Sequence, residues 1–279
     1  MCRDSQQNRE ETHSAQELVE SMPDQILQYA PAAINPYAEI KTQIASLVDT
    51  LTFLKQHNHW EKILINLEKT RFFHPFTIIS LACLNYKLSA EKREIDFCFP
   101  ENSNTAFYLK NVSFPHGLEP EKHENWPVLL ENYADKTYLP LIKFSTDRSA
   151  ISSSVVEKVL SKVNGLIIKN FKIKDCYKDS TSYLISEITD NVIEHSGEKR
   201  GWLMVQYYPK MRIIDICIAD TGITILGSYQ KFGFSNIKDD YTALKKALSG
   251  LSTKNLKERG RGLYSTNNVV TLSLNGFFT

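Results

Sequence analysis

The segment SEITDNVIEHS, Ser186 to Ser196, sets Glu187, Asn191 and His195 at intervals of four residues. In a helix, at about 100° per residue, Glu187 and Asn191 lie ~40° apart and one turn from each other, with Glu194 close to Glu187. Leu184, Ile185, Ile188 and Val192 gather on a neighbouring face that can pack on a sheet. A carboxylate so placed can orient or deprotonate a water or hydroxyl. A carboxamide one turn away can complete the shell of Mg2+, which keeps several waters and takes few protein ligands. A solvated helix face explains these eleven residues, taken alone, at least as well.

Two later segments shift that balance. IADTGITI puts Asp220 at the end of an apolar strand, with Gly222 two residues on. A partly buried Asp there can accept a hydrogen bond from an exocyclic amine such as that of adenine, and glycine lets backbone approach a flat ring. ERGRGLYSTNNVV puts Gly260 and Gly262 at a helix entrance, where backbone N–H groups and the positive end of the dipole suit a polyphosphate. Other chemistries find less support. There is no Walker loop, no G-x-G-x-x-G after a strand and no H-E-x-x-H. His195 beside Glu194 lacks further ligands at metal-site spacing, and a Cys217–His195 pair would put its thiol in a buried strand.

These residues need elements to hold them. A helix is expected from Lys178 to His195, capped by Asp179 or Ser180. Strands follow over Gly201–Tyr208 and Arg212–Asp220, joined as a hairpin at Pro209–Met211. After TGITILGS, taken as a turn, come a short helix in DDYTALKKALSG and a last helix in LYSTNNVVTLSL. In the first half, IKTQIASLVDTLTFLKQ reads as a helix with Ile40, Ile44, Leu47, Val48, Leu51 and Leu54 on one face. Strand KILINL, a helix opening at HPF, strand REIDFCF and helix NTAFYLKNVSF continue an α/β alternation.

Composition sets the class. The chain has 279 residues, 42% of them hydrophobic, enough for two domains with real cores. Thirty-three basic against 32 acidic residues give a net charge of +1, so nothing global favours nucleic acid or an anionic membrane. No apolar run approaches the ~20 residues a spanning helix needs, and the start lacks a signal peptide's apolar region. Five scattered cysteines, without a C-x-x-C pair, fit a reduced cytoplasmic setting.

The succession ExxxNxxxH, DTGI and RGRGL resembles the GHKL or Bergerat-fold ATP-binding domain of the histidine kinase-like ATPases. It is most similar to bacterial anti-sigma-factor serine kinases, whose first box also runs Glu, Asn, His at intervals of four. The resemblance runs from about Ser152 to the C-terminus. It implies ATP and Mg2+ as cofactors, Glu187 as general base, Asn191 as Mg2+ ligand, Asp220 as adenine acceptor and Gly222 as adenine-loop glycine. Gly260 and Gly262 would be phosphate-loop glycines, and Gly227 to Arg259 a mobile lid. Lys254, Arg259 and Arg261 would contact phosphates, and Thr224 and Leu263 complete the implied ATP-binding set. Thr224 stands where the family usually has a second glycine, and the chain ends at LNGFFT where further core strands would follow. The expected fold is thus α/β, with a Bergerat sandwich truncated after the last phosphate-binding helix.

The first half resembles STAS-like domains, through ILINL, HPFTIISLACL, IDFCF and AFYLKNVSF. Its loop TRFFHPF, with Thr70 and Thr77 on either side, has no Ser in the turn, which favours an interaction domain over a phospho-switch. The expected division is a mobile leader 1–35, a STAS-like domain 36–118, a linker 119–150 packing between domains, and an ATP-binding domain 151–279. The implied protein is a Mg-ATP-binding regulator controlling a protein partner, a regulator or component of an anti-sigma-like pathway. ATP hydrolysis, Ser/Thr kinase activity and a homodimer stay open. The alternative is a degenerate, nucleotide-free interaction scaffold.

Overall fold

Apolar strands and the helices between them divide the chain into two units, Met1–Asn111 and Val112–Thr279, each of mixed α/β structure. The computed structural model describes residues 26–27, 36–147, 149–252 and 262–278.

The first unit runs β1 (Ile26–Leu27), α1 (Pro36–Gln56), β2 (Lys62–Asn66), α2 (Pro75–Ala90), β3 (Glu94–Cys98) and α3 (Ser103–Asn111). Its strands pair in parallel, in the order β1-β2-β3. Parallel strands are covered on both faces, and the central strand buries Ile63, Leu64 and Ile65 in succession. Pro75 opens α2, where a missing N–H costs nothing, and the helix buries Ile78, Ile79, Leu81 and Ala82.

Helix α1 departs from the expected packing. Leu47 and Leu54 are buried, but their companions inside are Gln43 and Thr50, while Ile44, Val48 and Leu51 are exposed. The cause lies at Gln43. Its Nε2 donates to the Phe72 carbonyl at 2.9 Å, and its Oε1 accepts from the His74 N–H at 3.1 Å and the Thr77 hydroxyl at 2.6 Å. A buried amide satisfied this fully fixes the rotation of its helix, and three apolar side chains are left outside.

The second unit contains α4 (Trp126–Glu131), β4 (Ile142–Ser145), α5 (Ala150–Asn170), α6 (Asp175–His195), β5 (Arg200–Tyr208) and β6 (Ile213–Asp220). Helices α7 (Ile225–Lys231), α8 (Asp240–Leu248) and α9 (Gly262–Asn268) follow, and α9 runs straight into a π-helical turn, Val269–Ser273. The antiparallel sheet β4-β5-β6 supplies Ile142, Phe144, Leu203 and Val205 to one core. Helix α5 adds Val159, Val163 and Ile167, and α6 adds Leu184, Ile185 and Val192.

Three boundaries differ from the sequence expectation. Residues 119–150, expected as a linker between domains, fall within the second unit and provide strand β4. Its alternation covers only Ile142 to Ser145, too short for periodicity to distinguish from a loop. Helix α6 starts at Asp175, so Asp179 and Ser180 lie inside it, and Lys174 at the cap position makes no side-chain bond. The TGITILGS segment is a helix start rather than only a turn. The expected leader lies outside the described residues, apart from β1.

Candidate functional site

Helix α6 is the wall on which the site is built. Its apolar side packs into the core through Leu184, Ile185 and Val192, and Glu187 and Asn191 occupy an adjacent, half-buried side. The entrance of α9 lies against them. A side chain at Gly262 would bring its Cβ to 2.6 Å from Glu187 Oε1, 3.0 Å from Asn191 Nδ2 and 3.2 Å from Asn191 Oδ1. Any larger residue at 262 would have to displace the ends of these two polar side chains. Asn191 Nδ2 is buried without a hydrogen-bond partner among the described residues. Such an orphan donor costs ~1–3 kcal/mol, and a carboxamide can present either its N–H or its oxygen to a ligand placed there.

The strand side of the site follows from register. Gly201 pairs with Asp220 across β5 and β6. A Cβ at Gly201 would run into the Phe144 ring and come to 2.8 Å from Val192 Cγ1, so that face of the sheet is the one α6 covers. Directly opposite residues share a face, so Asp220 looks toward α6. Ile214, Ile216 and Ile218 precede it on the same face and pack against the core. Burial raises the Asp220 pKa. The Gly222 N–H, donating to Asp220 Oδ1 at 2.8 Å, opposes this, and the nearby Glu198 charge adds to it, leaving a net rise.

The turn after Asp220 is fastened to the end of α6. Ile223 N–H donates to the Ser196 carbonyl at 3.0 Å, and a Cβ at Gly222 would overlap that carbonyl. Ser196, Glu198 and Gly201 thus belong to the site although no motif marked them. Only the start of a strand just past the helix hinted at Gly201. From Glu187 to Ser196 is nine residues of helix, or ~14 Å at 1.5 Å per residue. Asp220 and Gly222 border one end of this stretch, and Gly262 the other.

Thr224 has a local task. Its Oγ1 accepts from the Gly227 N–H at 3.2 Å and caps α7. Helices α7 and α8, in the expected lid, share a small core of Tyr229, Ile237, Ala243 and Ala247, joined by Ile225, Leu226, Phe234 and Leu263. The Tyr229 hydroxyl donates to the Leu251 carbonyl at 2.5 Å. Leu263 therefore links this lid core to the residue next to Glu187 and Asn191. Lys254, Arg259, Gly260 and Arg261 lie outside the described residues.

The remaining candidates are quiet. Burial and the Asp215 charge push the Cys217 thiol up to about 12, which rules out a ready thiolate. His195 Nε2 lies 3.8 Å from Glu194 Oε2. Among the described residues no group of three or more His, Cys, Asp or Glu is placed to hold a metal, and no helix is long and apolar enough to cross a membrane. The chemistry of Glu187 and Asn191 fits a cation that takes most of its ligands from substrate and water. Comparison with known proteins yields no family model, no curated protein and no solved structure that matches this chain.

Proposed function

We propose that the second unit binds Mg-ATP along α6. We further propose that the protein is a cytoplasmic bacterial regulator of the histidine kinase-like ATPase class, with nucleotide occupancy controlling a protein partner. The observation that carries this reading is convergence. Glu187, Asn191, Asp220, Gly222 and Gly262 come from three separated segments and border one ~14 Å stretch of one helix. An extended nucleoside triphosphate can span that distance.

In this reading Asp220 accepts from the exocyclic amine of adenine, and Gly222 holds that carboxylate in place through its N–H while the turn closes on the Ser196 carbonyl. Gly262 lets the entrance of α9 close on Glu187 and Asn191, and the Asn191 carboxamide would contribute to holding Mg2+ beside the phosphates. The bound Mg2+ would neutralise phosphate charge. Glu187 accepts the proton of an attacking water, or of a partner's Ser or Thr hydroxyl. As the new O–P bond forms, the bond from the γ-phosphorus to the bridging oxygen breaks and its electron pair leaves with ADP. The basic side chains of the 254–261 segment would meet the phosphates.

Titration calorimetry with Mg-ATP tests the binding step. The wild-type chain should give a saturable heat that Asp220→Asn abolishes. Absence of heat from the folded wild type would remove the ATP reading and leave the nucleotide-free scaffold. Phosphate release or partner phosphorylation unchanged in Glu187→Ala would remove the proposed base.

A further inference from the structure

Helix α1 carries two stripes. At about 100° per residue, Gln43, Leu47, Thr50 and Leu54 occupy an arc of ~60°, and all four are buried. Centred about 100° further round, Ile44, Val48 and Leu51 form a second stripe at spacings of four and three, the spacing of a helix-pairing seam. Their exposures are 36%, 54% and 43%, so three successive turns of large apolar side chains face solvent. Gln43 prevents the helix from rolling to bury them, because rolling would strip the bonds to Phe72, His74 and Thr77.

The ends of the stripe identify what it fits. Lys41 and Lys55 extend it on the same ~80° arc, both exposed and neither with an acidic partner among the described residues. They stand ~21 Å apart along the axis. Asp49, the only carboxylate between Lys41 and Gln56, lies about 100° round from Val48, off the stripe. A second copy of α1 is a poor match in either direction. Parallel pairing sets Lys41 beside Lys41 and Lys55 beside Lys55, and antiparallel pairing sets Lys41 beside Lys55 at both ends, so like charges meet in each case. We propose that the exposed stripe of α1 docks an amphipathic helix of another protein whose apolar seam is bracketed by carboxylates. Apolar contact along the seam supplies the affinity, and the two lysines set register and exclude self-pairing. The proposal concerns the first unit and does not depend on nucleotide binding in the second.

The test uses the full chain and a labelled synthetic helix carrying Leu and Ile at its seam positions, with glutamates spaced as Lys41 and Lys55 are. Fluorescence anisotropy should show saturable binding, weakened about tenfold by Val48→Ala with Leu51→Ala. Unchanged thermal midpoints would confirm that these exposed substitutions leave the fold intact. Lys41→Glu with Lys55→Glu should transfer preference to a peptide with lysines at the bracketing positions. Failure of the acidic peptide to bind, or equal binding of a scrambled peptide, overturns the proposal. So does sedimentation showing a dimer that Val48→Ser dissociates, or flotation with phosphatidylserine vesicles that the same variant abolishes, since a second copy or a lipid surface would then own the stripe.

Discussion

Asp220 ends a strand whose three preceding inward positions are isoleucines, and burial, opposed by the Gly222 N–H and aided by Glu198, raises its pKa. A raised carboxylate pKa means that folding favours the protonated form. The group's contribution to stability is therefore full below the ordinary Asp range and is lost as pH rises through the raised value. At neutral pH the charge is a cost to the fold, and the amine donor of the proposed function would offset it. Asp220→Asn keeps an oxygen for the Gly222 N–H and removes that charge. Its thermal midpoint at pH 7 should equal or exceed the wild-type value in scanning calorimetry, and a large fall would reveal a structural role instead. Gly222→Ala should behave oppositely, because its Cβ meets the Ser196 carbonyl. A loss at or above the upper end of ~1–3 kcal/mol is expected in urea unfolding. Gly165→Ala, in exposed helix with nothing within 4 Å of its Cβ, is the control and should gain up to ~1 kcal/mol.

Elements transmit these local effects unevenly. Thr224 caps α7, and α7 and α8 share a core that has four buried side chains and a few neighbours among the described residues. Thr224→Ala should remove ~1 kcal/mol. Hydrogen exchange should register it as lost protection in α7 and α8 while β5, at the centre of the sheet, stays protected. Equal loosening of β5 would mean that the α7–α8 pair is not a separate cooperative element. Leu263 belongs to that small core and sits next to Gly262, which makes α9 the mechanical link between the helical pair and the wall of α6.

Across the second unit, a charged cluster acts with the opposite pH sign to Asp220. Glu119 pairs with Lys143 at 2.8 Å and Lys122 at 2.9 Å, and Arg200 reaches both Glu119 and Glu121. Burial alone would raise the Glu119 pKa, but the lysine hydrogen bonds and the charges of Lys143 and Arg200 outweigh it and hold the carboxyl low. Stability from this group is present above the ordinary carboxylate range and disappears as pH falls through the depressed value. The midpoint should therefore drop on acidification below that range, and Glu119→Gln should flatten the dependence at a lower plateau. An unchanged acid limb would show that other carboxylates dominate. The cluster ties the segment before β4 to β4 and β5, which is why that stretch is part of a domain and not a tether.

Patterns that repeat over many residues were readable from sequence: the α/β alternation of the first unit, the β5–β6 hairpin, and the carboxylate and carboxamide one turn apart on α6. Each rests on periodicity or on a residue type with narrow backbone demands. The rotation of α1, the strand status of Ile142–Ser145 and the part played by the Ser196 carbonyl came only from tertiary structure. In each, a short or ambiguous local signal was settled by a distant partner: a loop accepting from Gln43, a strand alongside β4, a main-chain oxygen meeting Gly222. Hydropathy ranked Gln43 as surface and Val48 as core, and the tertiary fold reversed them, because the loop before α2 gives the buried Gln43 amide three hydrogen bonds that no local pattern could announce.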